Sequence, residues 1–154
     1  MYWKRNAKIF PKTGRRCFDE QDLNFRTKEL NDFLDEIAEK YSIDRDNVIA
    51  VGYSNGANIA ASLLFHYQNA LKGAILHHPM VPRRGIDLPD LTGTSVFIAA
   101  GTNDPICSPQ ESEELKSLLE KASADVELHW EKRGHQLTRE EVEAAANWYH
   151  KSFK

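Results

Sequence analysis

Residues 48–65, VIAVGYSNGANIAASLLF, contain an apolar run, a turn and a second apolar run in direct succession. Val48 to Tyr53 is short, continuous and apolar, which is typical of a buried parallel strand. The segment from about Asn55 to Tyr67 is apolar on most sides, which predicts a buried helix. Ser54 is therefore expected in a sharp turn between strand and helix, within the GxSxG pattern of a nucleophile elbow.

Strands and helices alternate along the rest of the chain. We predict an amphipathic helix capped by Asp19, further strands, and two helices that start with the capping-box patterns Ser108–Glu111 and Thr138–Glu141. The further strands are expected over residues 73–79, 95–101 and 126–130, with Val126, Leu128 and Trp130 on one face, and the last helix through Val142, Ala145, Tyr149 and Phe153. This alternation predicts an α/β fold of three layers, α/β/α, with a mainly parallel sheet of about four strands.

Bulk composition indicates one soluble domain. A chain of 154 residues with 41% hydrophobic residues can bury one core, and we divide it into a basic arm, residues 1–18, and a domain, residues 19–154. A transit peptide would also be basic, but Pro11, Gly14 and the lack of serine before residue 42 favour a solvated arm. The net charge of −3 gives no general attraction for nucleic acid, and no apolar run is long enough to enter a membrane. With two cysteines, Cys17 and Cys107, a cytoplasmic location is expected.

Three polar residues follow three of the predicted strands. Ser54 follows the first strand, Asp104 the third and His135 the fourth, and the carboxyl ends of parallel strands share one edge of the sheet. A serine hydroxyl needs a base, and the base needs an acid that orients it, so these residue types in this order predict acyl transfer. Each residue alone has a simpler interpretation, as a helix cap, a turn former or a surface histidine. Their common placement favours the catalytic interpretation.

Other candidates near this edge are weaker. We interpret His77 and His78, at the end of the second strand, as part of the active-site wall, and we assign substrate contacts to Tyr53, His77, His78 and Met80. A metal site would need more ligands than the histidine pair, and the loop residues Asp87 and Asp90 are poor candidates, so no metal is expected. Cys107 could serve as a rival nucleophile, but it lacks an elbow, and a structural thiol is the preferred interpretation.

Three segments together resemble a known family. VIAVGYSNGANIAASLLF, GTNDPIC and RGHQLTREEVEAAANWY are similar to the phospholipase/carboxylesterase group of α/β-hydrolases, and most similar to bacterial carboxylesterases associated with aromatic and quinone stress. The resemblance covers roughly residues 19–152. It implies that Ser54 is the nucleophile, Asp104 the acid and His135 the base, that no cofactor is required, and that the substrates are small or medium acyl esters.

The chain departs from the family pattern in its N-terminal part. The family begins with further strands and a His-Gly-Gly loop that gives one of two backbone N–H groups of the oxyanion hole, and nothing before residue 48 matches them, so only the N–H of Asn55 can be placed. The chain resembles the C-terminal two thirds of the family fold. The strand over residues 48–53 then lacks one neighbour, and we expect either the arm or a second copy of the chain to cover it.

Three functions are consistent with these patterns. The leading one is a serine carboxylesterase that acts through an acyl-enzyme. A second is a non-catalytic or weakly active hydrolase remnant that binds a small ligand or a partner, and a third is a thioesterase or lactone hydrolase with the same three residues.

Overall fold

The computed structural model describes residues 10–12, 15–17 and 19–153. The elements of the domain are α1 (Glu20–Tyr41), a short 3₁₀ turn (Arg45–Asn47), β3 (Ile49–Tyr53), α2 (Asn55–His66), β4 (Gly73–His77), β5 (Ser95–Gly101), α3 (Pro109–Lys121), β6 (Asp125–Glu131) and α4 (Arg139–Ser152). Two short strands, β1 (Phe10–Lys12) and β2 (Arg15–Cys17), precede them and pair with each other in antiparallel fashion.

The central sheet has four strands in the order β3-β4-β5-β6, and every neighbouring pair is parallel. The predicted α/β fold with a parallel sheet of about four strands is therefore confirmed. The register aligns Tyr53 with His77, His77 with Ala99 and Ala99 with His129, so the carboxyl ends of the strands lie along one edge. Loops that follow these strands can therefore meet at that edge.

Helices cover both faces of the sheet. Successive side chains of a strand point to opposite faces, so Leu76 and Ile98 join the core beneath α2 and α3, whereas Phe97 joins a second cluster beneath α4. The first core contains the buried apolar side of α2, as its composition predicts, and the second is closed by Ala145 and Trp148. This is the three-layer arrangement expected from the sequence.

Two of the predicted helix starts have the expected caps, and one does not. The Asp19 carboxylate accepts hydrogen bonds from the N–H groups of Gln21 and Asp22, and the Thr138–Glu141 capping box is formed. At α3 the Ser108 side chain makes no cap hydrogen bond. Glu111 instead accepts from the backbone N–H of Val81, at 3.0 Å, and from Arg84, so a tertiary contact replaces the predicted local one.

The last helix is present as predicted, but its buried face does not coincide with all of its apolar positions. Val142 and Tyr149 are 45% and 41% exposed, and the buried residues are Glu141, Ala145 and Trp148. Each of these residues lies about one helical turn from the next, so α4 has a buried stripe whose first residue is an acid. Trp130 of β6 is likewise 37% exposed, because β6 is a sheet edge.

The other edge of the sheet is β3. Within the described part of the chain it is paired with β4 alone, and Val51 is 70% exposed. Strands β1 and β2 pair with each other and not with β3, so the described residues of the arm do not extend the sheet. Among the helices that the structure describes, none combines the length and the apolar character needed to cross a membrane.

Candidate active site

Ser54 lies in a strained turn between β3 and α2. Its backbone has φ 53° and ψ −113°, a conformation that costs a non-glycine residue energy and that clusters at functional sites. The Ser54 N–H donates to the carbonyl of His77 at 2.9 Å, and the Ser54 carbonyl accepts from the N–H of Asn58 at 2.9 Å. The hydroxyl makes no cap hydrogen bond to α2, so it does not serve as a simple helix cap.

Gly52 makes this turn possible. A Cβ atom at position 52 would lie 2.4 Å from the carbonyl carbon of Gly56, which is a backbone atom and cannot move aside. A Cβ at position 56, in contrast, would meet nothing within 4 Å. Of the two glycines in the GxSxG pattern, the first therefore provides the close approach between strand and helix that presents the serine.

The structure brings Ser54, His135 and Asp104 together. The Nε2 atom of His135 is 3.0 Å from the Oγ of Ser54, and its Nδ1 atom is 2.7 Å from the Oδ2 of Asp104. Asp104 follows β5 and His135 follows β6, as the parallel register requires. A neutral histidine ring has a proton on one nitrogen and a free acceptor on the other. When the Nδ1–H of His135 points at Asp104, its Nε2 is therefore able to accept the proton of the Ser54 hydroxyl.

The two loops that carry Asp104 and His135 are packed against each other. The N–H of Gly134 donates to the Oδ1 of Asn103 at 2.9 Å. A Cβ at Gly101 would lie 2.1 Å from the carbonyl oxygen of Gly134, so the loop after β6 passes directly over the end of β5. This contact holds His135 beside Asp104.

Asp104 is a buried carboxylate with every acceptor position used. Its Oδ1 accepts from the N–H groups of Ile106, at 2.7 Å, and Cys107, at 3.0 Å, while Oδ2 faces His135 and His78. Burial alone would raise the pKa of Asp104, but the hydrogen bonds from Cys107, His135, Ile106 and His78 outweigh it and hold the pKa below its usual value. Asp104 is thus kept ionised, which is the form that stabilises a charged histidine.

Tyr53, the last residue of β3, connects that strand to His135. Its hydroxyl donates to the backbone carbonyl of His135 at 2.5 Å, and the two ring centroids are 5.5 Å apart. Burial of the phenol and the nearby charge of Asp104 raise the pKa of Tyr53, so the hydroxyl keeps its proton and remains a donor. The residue is 41% exposed, and its predicted substrate contact stays a prediction.

The other predicted substrate-binding residues lie behind the site. His77, His78 and Met80 are buried, at 4%, 1% and 5% exposure, and the Met80 N–H donates to the Oδ1 of Asn58. His78 contacts Asp104 at 2.9 Å through Nδ1, so it adjoins the acid and not an open wall. For these three residues, too, contact with substrate stays a prediction.

Glu141 also lies in this site, through its contacts with His77 and His78. From the sequence it was predicted only as part of a helix cap. It is fully buried; its Oε1 lies 2.5 Å from the Nδ1 of His77, and its Oε2 lies 3.1 Å from the Nε2 of His78. Burial lowers the pKa of His77, although the hydrogen bond to Glu141 opposes that shift. The available signal was its position: an acid one turn before Ala145 and two before Trp148, on an otherwise apolar stripe.

The geometry favours neither a metal site nor a catalytic role for the thiol of Cys107. His78, Asp104 and His135 each offer one atom that could bind a metal, all within 4.8 Å of one another. Those atoms are hydrogen-bonded among themselves, and a metal would have to replace these contacts. Cys107 is buried with its Sγ 3.4 Å from the carbonyl of His78, while the base faces Ser54.

Asn55 is the first residue of α2. N–H groups in the first turn of a helix have no acceptor within the helix, and the helix dipole adds partial positive charge there. The backbone N–H next to Ser54 is thus suited to an oxyanion, and this role stays a prediction.

Comparisons with known proteins agree with this geometry. The dienelactone hydrolase family matches residues 1–152. A Bacillus subtilis (strain 168) protein with the name "Putative hydrolase MhqD" is 58% identical over 142 residues, which are 92% of this chain and 71% of that protein.

Solved structures give the same result. The Bacillus cereus carboxylesterase is 65% identical with a TM-score of 0.87, over 96% of this chain and 74% of that chain. The structure of YahD with malic acid is 33% identical with a TM-score of 0.83, over 88% of this chain and 66% of that chain. The chain thus spans about two thirds to three quarters of the length of these proteins. It has the α/β-hydrolase fold, belongs to the dienelactone hydrolase family, and is a hydrolase of the carboxylesterase and dienelactone hydrolase type.

Proposed function

We propose that the chain is a serine carboxylesterase, with Ser54 as nucleophile, His135 as general base and Asp104 as the acid that orients the base. The observation that carries this proposal is the continuous pair of contacts on His135, 3.0 Å to the Oγ of Ser54 and 2.7 Å to the Oδ2 of Asp104. Both distances are within hydrogen-bond range, so the proton can move without rearrangement of the site.

The reaction proceeds in two halves. The Nε2 of His135 takes the Ser54 proton as Oγ attacks the acyl carbon, and the resulting imidazolium donates that proton to the leaving alkoxide oxygen. A water molecule then gives its proton to His135 and attacks the acyl-enzyme, which releases the carboxylic acid and restores the hydroxyl of Ser54. Throughout, the buried negative charge of Asp104 stabilises the imidazolium.

The negative oxygen of the tetrahedral intermediate needs hydrogen-bond donors. Within the proposal, the N–H of Asn55 and the N-terminus of α2 provide one. Loss of a single oxyanion donor lowers turnover by about 10²–10³-fold in other serine hydrolases. We therefore expect slow ester turnover from a chain in which only this donor is assigned.

A lactone is the second candidate substrate class. The match to the dienelactone hydrolase family favours it, because a lactone is an internal ester and the same three residues can open it. In that reaction the leaving alkoxide remains attached to the acyl group, so one product is formed. A thioester would react through the same steps with a thiolate as leaving group.

Covalent labelling tests the proposal. The folded chain is incubated with a fluorophosphonate, and the labelled peptide is located by mass spectrometry, beside the variants Ser54→Ala and Ser108→Ala. Ser108 is a suitable control because it is exposed and its hydroxyl makes no cap hydrogen bond. We expect label on Ser54 in the chain and in Ser108→Ala, and no label in Ser54→Ala.

Ester turnover separates the remaining alternatives. Release of p-nitrophenol from a short-chain ester, measured on the same preparations, identifies an esterase. Label on Ser54 with slow turnover would indicate a working proton-transfer chain with an incomplete oxyanion site. A folded chain that does not label would contradict the proposal and favour the non-catalytic remnant.

A further inference from the structure

The hydrogen-bond chain of the site does not end at Asp104. Behind it, His78 lies between two carboxylates, with Nδ1 at 2.9 Å from Asp104 and Nε2 at 3.1 Å from Glu141. His78 is 1% exposed and Glu141 is fully buried. Isolated charges are not buried in this way unless they are paired, so the three groups form one electrostatic unit.

His78 limits the freedom of the Asp104 carboxylate. Two backbone N–H groups occupy Oδ1, and the ring nitrogens of His135 and His78 occupy Oδ2. A carboxylate offers about four acceptor positions, so all of them are used. Without the contact from His78, Oδ2 would be held only by His135, the group that it must orient.

The two contacts of His78 also determine its proton count. An ionised carboxylate only accepts hydrogen bonds, so a His78 ring between two ionised carboxylates donates from both nitrogens. This doubly protonated form is part of what we propose. Its ring centroid is 5.1 Å from that of His135. Two imidazolium rings at that distance repel each other, and the negative charge of Glu141 on the far side of His78 offsets that repulsion.

We propose that His78 is a positioning residue that acts through Asp104, and that Glu141 is the buried counter-charge that allows it to do so without opposing the charged state of His135. Glu141 is itself held by the Nδ1 of His77, at 2.5 Å, and by the N-terminal capping box of α4. The proposal rests on the proposed function for its catalytic consequence, and its structural part can be measured separately.

A matched pair of variants tests the positioning role. His78 has φ 53°, which asparagine tolerates better than most residues, and an asparagine amide can place an N–H near the position of Nδ1. His78→Asn should therefore keep the donor to Asp104, whereas His78→Leu removes it. At metal sites, loss of a hydrogen bond to a ligating side chain costs about 10–100-fold, and we take the same range for a hydrogen bond to Asp104. We expect that loss in the rate of Ser54 labelling for His78→Leu, and most of the rate retained for His78→Asn.

Nuclear magnetic resonance of the unmodified chain provides a readout that depends neither on activity nor on a substitution. In the ¹⁵N-histidine-labelled chain at neutral pH, both ring nitrogens of His78 should carry protons, and the Nδ1 proton of His135 should give a downfield resonance. Glu141→Gln should remove the second ring proton of His78. An unprotonated ring nitrogen on His78 in the unmodified chain, or a His78→Leu variant that is folded and labels at the original rate, would overturn the proposal.

The two failures are distinguishable. If the unmodified chain does not label on Ser54, the proposed function fails, and the histidine resonances alone decide whether His78 bridges the two carboxylates. If the chain labels but His78 is singly protonated and insensitive to Glu141→Gln, the proposed function survives and the role of His78 is wrong.

Discussion

On one side of Ser54 the hydrogen-bonding groups are complete and buried, whereas on the other side the sheet ends at an exposed strand. Toward β4, β5 and β6 the hydroxyl meets His135, and behind it come Asp104, His78 and Glu141, each with its partners. Toward the open edge lies Val51, 70% exposed. The described residues thus surround the Ser54 hydroxyl with buried hydrogen-bonding partners on one side, while on the other side β3 is paired with β4 alone.

The largest effect is expected from a change in the complete region, Asp104→Asn. The amide is similar in shape, but it no longer fixes the His135 tautomer or stabilises its charge, and the comparable substitution in a serine protease lowers kcat about 10⁴-fold. We expect a loss of that order in the rate of Ser54 labelling, measured by mass spectrometry over time. Asp87→Asn, at an exposed loop position, is the control and should label normally. Equal rates for the two variants would exclude Asp104 from the site.

A substitution at the elbow tests the boundary between the two regions. Gly52→Ala places a methyl group 2.4 Å from the backbone of Gly56, so strand and helix must separate. We expect a loss of about 3 kcal/mol in the free energy of unfolding, from urea denaturation. Gly56→Ala, where a Cβ meets nothing within 4 Å, should change that free energy little. Equal stabilities would show that the close approach at residue 52 is not needed.

The open edge is tested by self-association. Of the two covers that we proposed for β3, a second copy of the chain is the one to test, because the described residues of the arm pair with each other. Sedimentation at micromolar concentration should show a dimer, and Val51→Lys should convert it to a monomer because a lysine on an edge strand opposes pairing. Val142→Lys, on an exposed position of α4, is the control. A folded monomer of the unmodified chain would refute the dimer.

The smallest effect is the pH dependence from His77. The pKa of His77 in the folded chain is lowered from the ordinary 6.5. Just below pH 6.5 the unfolded chain therefore binds a proton at His77, whereas the folded chain does not. Stability is unaffected above pH 6.5 and falls as the pH drops below it, by at most about 1.4 kcal/mol per pH unit for one proton. His77→Asn should reduce that fall in urea denaturation between pH 7 and 5. His150→Gln, an exposed histidine, should leave it unchanged, and a steeper fall in His77→Asn would contradict this account.

The positions of the site residues that follow the parallel strands could be predicted from the order of those strands. Ser54, Asp104 and His135 each follow a predicted parallel strand, and the common edge of such a sheet leaves little choice in where their loops meet. The four-strand sheet and the buried character of α2 were also predictable, because both depend on continuous apolar runs.

The contacts that could not be predicted from the sequence are tertiary contacts. Glu141 satisfies a local capping pattern, and nothing in that pattern shows that the same carboxylate also reaches His77 and His78. Glu111 matched the same capping pattern but binds the N–H of Val81 instead, because the loop between β4 and β5 supplies a competing donor.

The most direct test of the account compares two rates on one preparation of folded chain: covalent labelling of Ser54 by a fluorophosphonate, and steady-state release of p-nitrophenol from a short-chain ester. We predict that Ser54 is labelled, that His135→Ala abolishes the label, and that ester turnover is slow. A folded chain that leaves Ser54 unlabelled, or one that labels equally well without His135, would contradict the claim that these two side chains form a working nucleophile and base.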